Sequence, residues 1–152
     1  MHSVRHAEPA DAEELAAMRA ALWPASSLEE QRAEMESFFS DGPITLLPAA
    51  IFVTHTPNQS LTGFLEIDLR SHADGCDPRQ PVGYIEGWFV QPEYRGQRVG
   101  AALMRTAEDW ARMHGAREMA SDALIDNEAS ELAHRALGFE VVDRCVHLRK
   151  QL

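Results

Sequence analysis

A chain of 152 residues and 17.0 kDa, 45% hydrophobic and 25% charged, has the size and composition of one globular domain and needs neither a disulfide framework nor a metal to fold. Lys and Arg number 14 against 24 Asp and Glu, a formal charge of −10 that repels phosphate backbones and leaves a cationic small molecule or basic peptide as the better-matched partner, unless the acids serve solubility alone. No stretch approaches the ~20 apolar residues of a membrane span.

In chain order, residues 3 to 7 read as a short edge strand. Pro9 and Asp11 then open a helix with Leu15, Met18 and Leu22 at helical spacing, ended by Trp23-Pro24. Ser27-Leu28-Glu29-Glu30 has the form of a capping box, so Gln31 to Ser40 continue a second helix that breaks at Asp41-Gly42-Pro43. Ala49 to His55 and Leu61 to Arg70 read as strands joined through Pro57-Asn58-Gln59-Ser60. In the second, Leu61, Gly63, Leu65, Ile67 and Leu69 alternate with Phe64, Glu66, Asp68 and Arg70, which predicts one buried and one wetter face.

Ser71 to Pro81 is a polar loop. Val82 to Val90 is an apolar strand interrupted by Glu86-Gly87, and Pro92 stops it. Arg98 to Met113 forms a helix with Val99, Leu103, Ala107, Trp110 and Ala111 inward and Gly115 at its end. Glu118 to Asp122 is a short strand, Asn127 to Leu137 a last helix closing on Gly138, and Val141 to Arg149 a terminal strand. The order β, α, α, three β, α, β, α, β spans one domain, residues 1–152, with no repeat or linker. Cys76 and Cys145 lie far apart in no ligand spacing, the first six residues carry no apolar run of the signal-peptide kind, and both features predict a cytoplasmic chain. His2, His6, His114 and His147 have no metal-site company, so no metal is expected.

Between the apolar strand and the following helix stands Arg95-Gly96-Gln97-Arg98-Val99-Gly100-Ala101. Small residues let successive amides turn to one point, a helix N-terminus adds partial positive charge, and two arginines add Coulomb attraction, so this loop could hold a pyrophosphate or simply cap the helix. Glu86 sits beside a glycine in an apolar strand, where a β-bulge could re-aim it. Asp122 ends the next strand. If the strands are neighbours, Glu86 and Asp122 share a cleft in which two carboxylates could bind an ammonium and take its proton.

The loop resembles the acyl-CoA loop of the GNAT N-acetyltransferase superfamily, Q/R-x-x-G-x-G/A, with Arg95 and Gly100 at its ends and Arg98 in place of the middle glycine. Asn127-Glu128-Ala129-Ser130-Glu131-Leu132-Ala133-His134 through Gly138-Phe139 is similar to that superfamily's later N-x-x-A-x-x-L-Y-x-x-x-G-F segment. Leu22-Trp23-Pro24, Gly75-Cys76-Asp77, Ile85 to Val90, Arg117 to Asp122 and Leu137 to Glu140 resemble the single-domain aminoglycoside 6′-N-acetyltransferases over nearly the whole chain.

That resemblance implies an α/β fold with a mixed, largely antiparallel central sheet flanked by helices and splayed near Glu86 and Asp122 into a V-shaped acetyl-CoA slot. It implies cofactor contacts from the backbone of Trp88, Phe89 and Val90, from Arg95, Gly96, Gln97, Arg98, Val99, Gly100 and Ala101, and from Asn127. His134 stands where a tyrosine often protonates the departing thiolate. An aminoglycoside would meet Trp23, Ser26, His72, Glu86, Asp122 and Asp143. Glu86, directly or through a water, is the first candidate proton acceptor with Asp122 orienting the amine, and the roles could be exchanged. Glu66, Asp68, Asp74, Asp77, Asp126 and Glu128 could rim the cleft, or form an ordinary solvated surface. A homodimer is a further implication. Acetylation of another amine, such as a polyamine or peptide N-terminus, and non-catalytic acyl-CoA binding are the rival readings.

Overall fold

The computed structural model describes residues 2–152 and shows a five-stranded sheet in the order β1-β2-β3-β4-β5 between helical layers. Strands β1 (Val4–His6), β2 (Ala49–His55), β3 (Leu61–Arg70) and β4 (Val82–Val90) pair antiparallel, and β5 (Glu118–Ser121) runs parallel to β4. The expected mixed, largely antiparallel sheet is therefore present.

Helices α1 (Ala12–Leu22) and α2 (Leu28–Asp41) cover one face. Their approach is set by Leu15, Ala16, Met18 and Met35, which pack on Ile51, Val53, Leu61 and Phe64. The capping box forms as predicted: the Glu30 amide donates to Ser27 Oγ (3.1 Å) and the Ser27 amide to Glu30 Oε2 (2.9 Å). On the other face α3 (Val99–Met113) lays Val99, Leu103, Met104, Ala107 and Ala111 against Phe52, Leu65, Ile67 and Ile85. Burying Leu103 and Met104 stabilises the fold by roughly 1.5–3 kcal/mol each.

Because helices cover both faces, the expected alternation of β3 holds only in its second half. Residues 61–65 are buried on both sides, whereas Ile67 and Leu69 are buried and Glu66, Asp68 and Arg70 are half-buried where α1 has ended. The expected terminal strand is not formed. Residues 140–152 are exposed and without regular structure, because a β-like pattern alone cannot order a strand that finds no ladder to join. Helix α4 (Glu128–Ala136) is shorter than expected and buries no residue.

Two features of the sheet make a cleft. The pairing of β3 with β4 steps from Glu66↔Gly87 to Ile67↔Ile85, leaving Glu86 as the extra residue of a β-bulge. On the other side, β4 pairs with β5 only from Val82↔Glu118 to Ile85↔Ser121. Beyond Ile85 the two strands part, so residues 86–90 present backbone without a strand partner on that side.

Candidate active site

Glu86 projects from the bulge where β4 and β5 separate, and its Oε1 accepts from Arg70 Nη2 at 2.6 Å. Asp122 follows the last residue of β5, and Tyr84, two residues before Glu86, donates its hydroxyl to Asp122 Oδ2 at 2.7 Å. Burial and this hydrogen bond push the Tyr84 hydroxyl above its ordinary range, so it stays a donor to the carboxylate. Arg70, which binds Glu86, also lies 3.4 Å from the centre of the Tyr84 ring, so the two carboxylates are linked through Arg70 and Tyr84.

Trp23 closes the end nearest α1. It is the first residue past that helix, and its indole lies over the α-carbon of Gly87 so closely that a Cβ there would stand 2.8 Å from Trp23 Cη2. The ring meets Phe64 edge-on (6.4 Å between centroids) and carries the Arg19 guanidinium on its face at 4.8 Å. Arg19 is buried, donates to Gln31 Oε1 at 2.6 Å, and pairs with Glu34 and Glu66. Burial pulls its guanidinium below the usual range and Glu34 opposes that shift. Glu66 is therefore tied inward by Arg19 and is not a free rim carboxylate, and Asp77 is likewise paired with Arg79 (2.9 Å).

The expected phosphate loop turns through two left-handed residues, Gly96 (φ 76°) and Arg98 (φ 64°). Arg98, where the superfamily pattern has a glycine, takes the left-handed conformation that favours glycine and leads directly into α3, whose first internal bond runs from the Ala102 amide to the Arg98 carbonyl. The amides of Val99, Gly100 and Ala101 precede that bond, no side chain caps them, and no acid occupies the first turn. This fits the pyrophosphate of a CoA thioester. Gly100 has a second reason to be small: a Cβ would lie 3.0 Å from Trp88 Cζ2, and the Trp88 indole donates to the Gly100 carbonyl at 3.2 Å.

Arg95 turns back instead of facing the loop. Its Nε donates to the Val90 carbonyl at 2.9 Å and its guanidinium lies 5.7 Å from the Phe89 ring, bracing the end of β4. Gln97 also turns back, donating to the Glu93 carbonyl at 3.0 Å.

His134 reaches the cleft from α4. Its ring stands edge-on to Trp88 at 5.1 Å and to Phe139 at 5.2 Å. Because the Ser130 carbonyl 2.7 Å away can only accept, Nδ1 carries a proton, and in the neutral ring Nε2 accepts from Ser121 Oγ at 2.8 Å. Asn127 caps α4, its Oδ1 accepting from the Ser130 amide at 3.1 Å. The remaining expected contacts make no side-chain hydrogen bond to this group, although the Ser26 amide donates to the Trp23 carbonyl at 3.0 Å. Ser26 donates to Glu30 Oε2 (2.9 Å), His72 lies exposed beside Ser71, and Asp143 lies on the exposed terminal segment. Among the described residues no three His, Cys, Asp or Glu side chains are grouped to hold a metal ion, and no helix is long and apolar enough to cross a membrane.

The sequence reading gave Arg19, Arg70 and Tyr84 no part in the site. Tyr84 was accessible in principle, since it stands two residues from Glu86, but the pairing of Arg19 with Glu66 depends on a helix-to-strand contact between residues far apart in sequence.

A bulged strand thus parts from a parallel neighbour beside a helix N-terminus that no side chain caps, as the acetyltransferase resemblance implied, and a family comparison agrees. The model of the acetyltransferase (GNAT) family matches residues 15–139, and the chain belongs to that family. It is 39% identical over 149 residues to an aminoglycoside N(6′)-acetyltransferase type 1 of Klebsiella aerogenes, covering 98% of this chain and 96% of that one. A protein of the same name from Stenotrophomonas maltophilia is 35% identical over 150 residues, covering 99% and 94%. Among solved structures, that of AAC(6′)-Iy in complex with the bisubstrate analogue CoA-S-monomethyl-acetylneamine matches with a TM-score of 0.86 at 29% identity, over 100% of this chain and 99% of the other.

Proposed function

We propose that this chain transfers an acetyl group from acetyl-CoA to the 6′-amine of aminoglycosides by direct attack in a ternary complex, so conferring resistance. The observation that carries the reading is the placement of Glu86 and Asp122 on the two strands that diverge beside the uncapped start of α3, in a chain whose relatives bear this activity over nearly their full length. Residues 1–152 would work as one acetyltransferase domain.

Bound acetyl-CoA supplies the thioester that is attacked. The amides of Val99, Gly100 and Ala101 would hold its pyrophosphate, with Gly96 and Arg98 setting the turn, while the side of Trp88, Phe89 and Val90 without a strand partner, where Arg95 already binds the Val90 carbonyl, would receive its extended arm as an added strand would. Asn127 and Gln97 border that arm. Trp23 supplies an aromatic wall for a sugar ring, Glu86 takes the amine proton, and Asp122, fixed by Tyr84, orients the nitrogen. His134 Nε2 takes the second proton of the reacting nitrogen through the Ser121 hydroxyl and returns it by the same route to the departing sulfur. Ser26, His72 and Asp143 enter only as outer contacts to a substrate that extends beyond this group.

The product has one positive charge fewer, which weakens an aminoglycoside's hold on RNA phosphates. Two free thiols, Cys76 and Cys145, suit a reducing cytoplasm. A homodimer is supported by Val141, Val142, Val146 and Leu148 at the surface of residues 140–152, by the exposed Leu132 of α4, and by the position of β5 at the sheet edge. Light scattering should return twice 17.0 kDa, and a monomer would contradict the dimer. The activity itself is tested by CoA release with kanamycin or tobramycin as acceptor and the Glu86→Gln variant alongside, in which turnover should largely disappear.

A further inference from the structure

On the sheet face left open beyond α1, Asp68 of β3 stands opposite Tyr84 of β4, next to the bulge that carries Glu86. Its Oδ1 is buried and, among the described residues, is the one buried side-chain polar atom that no other group of the chain hydrogen-bonds. Such an atom costs stability unless a group from outside the chain, such as water, an ion or a substrate, supplies its bond. The single cation near it is Arg70, whose Nε is 3.9 Å away while its Nη2 binds Glu86 and its guanidinium lies 3.4 Å from the centre of the Tyr84 ring. In the ladder Asp68 stands between Ala49 of β2 and Tyr84 of β4. The charged or titratable groups around it are therefore Glu86 and Tyr84 on β4 and Arg70 and Glu66 on β3, the last already held by Arg19 of α1.

We propose that Asp68 is a further substrate-binding residue of this site, forming with Glu86 a two-carboxyl seat that shares one proton in the free protein and exchanges it for the ammonium of the amine substrate. Burial and the neighbouring Glu86 carboxyl push Asp68 up to about 7, in keeping with one shared proton at neutral pH, and Arg70 works against that rise. The Arg70 guanidinium occupies part of the space a substrate cation needs and serves as its stand-in.

Entry of the ammonium expels the shared proton to water, leaving both carboxylates ionised around the cation. Breaking one N–H bond of the ammonium then re-forms the O–H bond of the pair and frees the lone pair of nitrogen. As the N–C bond forms and the C–S bond breaks, the second proton of nitrogen leaves with the thiolate, and the balance is one ammonium and one thioester in, one amide, one thiol and one proton out. The seat explains how a primary amine that is protonated at neutral pH becomes a nucleophile without waiting for bulk deprotonation.

This inference rests on the proposed aminoglycoside activity. The test is calorimetric binding of kanamycin to the intact protein in two buffers of different ionisation enthalpy, together with the pH profile of kcat/KM, for the parent, Asp68→Asn and Asp68→Ser. The parent should release a proton on binding near neutral pH. Both variants should bind without that release, with KM raised roughly 10- to 100-fold, as expected for loss of a hydrogen bond to a charged group, and with the neutral limb of the profile displaced. A parent that acetylates kanamycin but shows no proton release, with variants matching its KM and profile, overturns the role of Asp68 alone. A parent that neither binds nor acetylates kanamycin overturns the aminoglycoside activity and this role with it.

Discussion

The indole of Trp23 lies on the α-carbon of Gly87, the residue that follows the bulged Glu86, so one contact sets the spacing between the end of α1 and the acid that points into the cleft. A methyl group at residue 87 would stand 2.8 Å from Trp23 Cη2 and 3.3 Å from Leu22 Cδ2, and the indole would have to move. Gly87→Ala should therefore lower stability by about 1–3 kcal/mol through overpacking. It should raise KM for aminoglycosides while leaving KM for acetyl-CoA within about twofold, because the α3 loop lies elsewhere. Steady-state kinetics in both substrates check this, and an equal loss in the two KM values would contradict it.

Arg98 carries a conflict between conformation and charge. A left-handed φ of 64° costs a residue with a Cβ about 1–2 kcal/mol relative to glycine, yet the guanidinium stands at the start of α3 where an anion is expected. Arg98→Gly should thus raise the melting temperature of the free protein while weakening acetyl-CoA binding, whereas Arg98→Ala should weaken binding without any gain in stability. Thermal unfolding with and without acetyl-CoA separates the two effects.

Stability should follow pH through Asp68. Its pKa rises from 3.8 to about 7 on folding, so the native chain holds that proton more tightly than the unfolded one. The contribution is fully present below about pH 4 and is lost as pH rises through about 7. Asp11, Glu13, Glu30 and Asp77 are lowered by arginine partners or backbone amides and act in the opposite direction, losing their contribution as pH falls through their folded values. Subtracting the denaturant midpoints of Asp68→Asn from those of the parent isolates the Asp68 part. The parent should lose ground against the variant between about pH 4 and about pH 7, and a difference constant with pH would contradict the assignment.

Much of this architecture was legible along the chain because it rests on local chemistry. The Ser27/Glu30 box, the β2, β3 and β4 limits and the bulge at Glu86-Gly87 follow from side chains within a few residues of one another. What was not legible depends on contacts between distant segments. The burial of Phe64 requires knowing that α1 and α2 cover that face, the inward turn of Glu66 requires Arg19, and Asp68, readable along the chain as either a rim or a solvated carboxylate, is half-buried once β3 meets β4. The terminal segment failed for the complementary reason: Val141, Val142, Val146 and Leu148 have the pattern of a strand, but no strand in the same chain receives them.

The most direct measurement is CoA release from acetyl-CoA by the purified protein with kanamycin, tobramycin, spermidine and a peptide as acceptors, with Asp122→Asn beside the parent. Turnover confined to the aminoglycosides, and reduced by roughly 10²-fold in Asp122→Asn as expected for a misplaced amine, is the predicted result. Acetylation of spermidine or the peptide with the aminoglycosides ignored, or an Asp122→Asn variant as active as the parent, would contradict it.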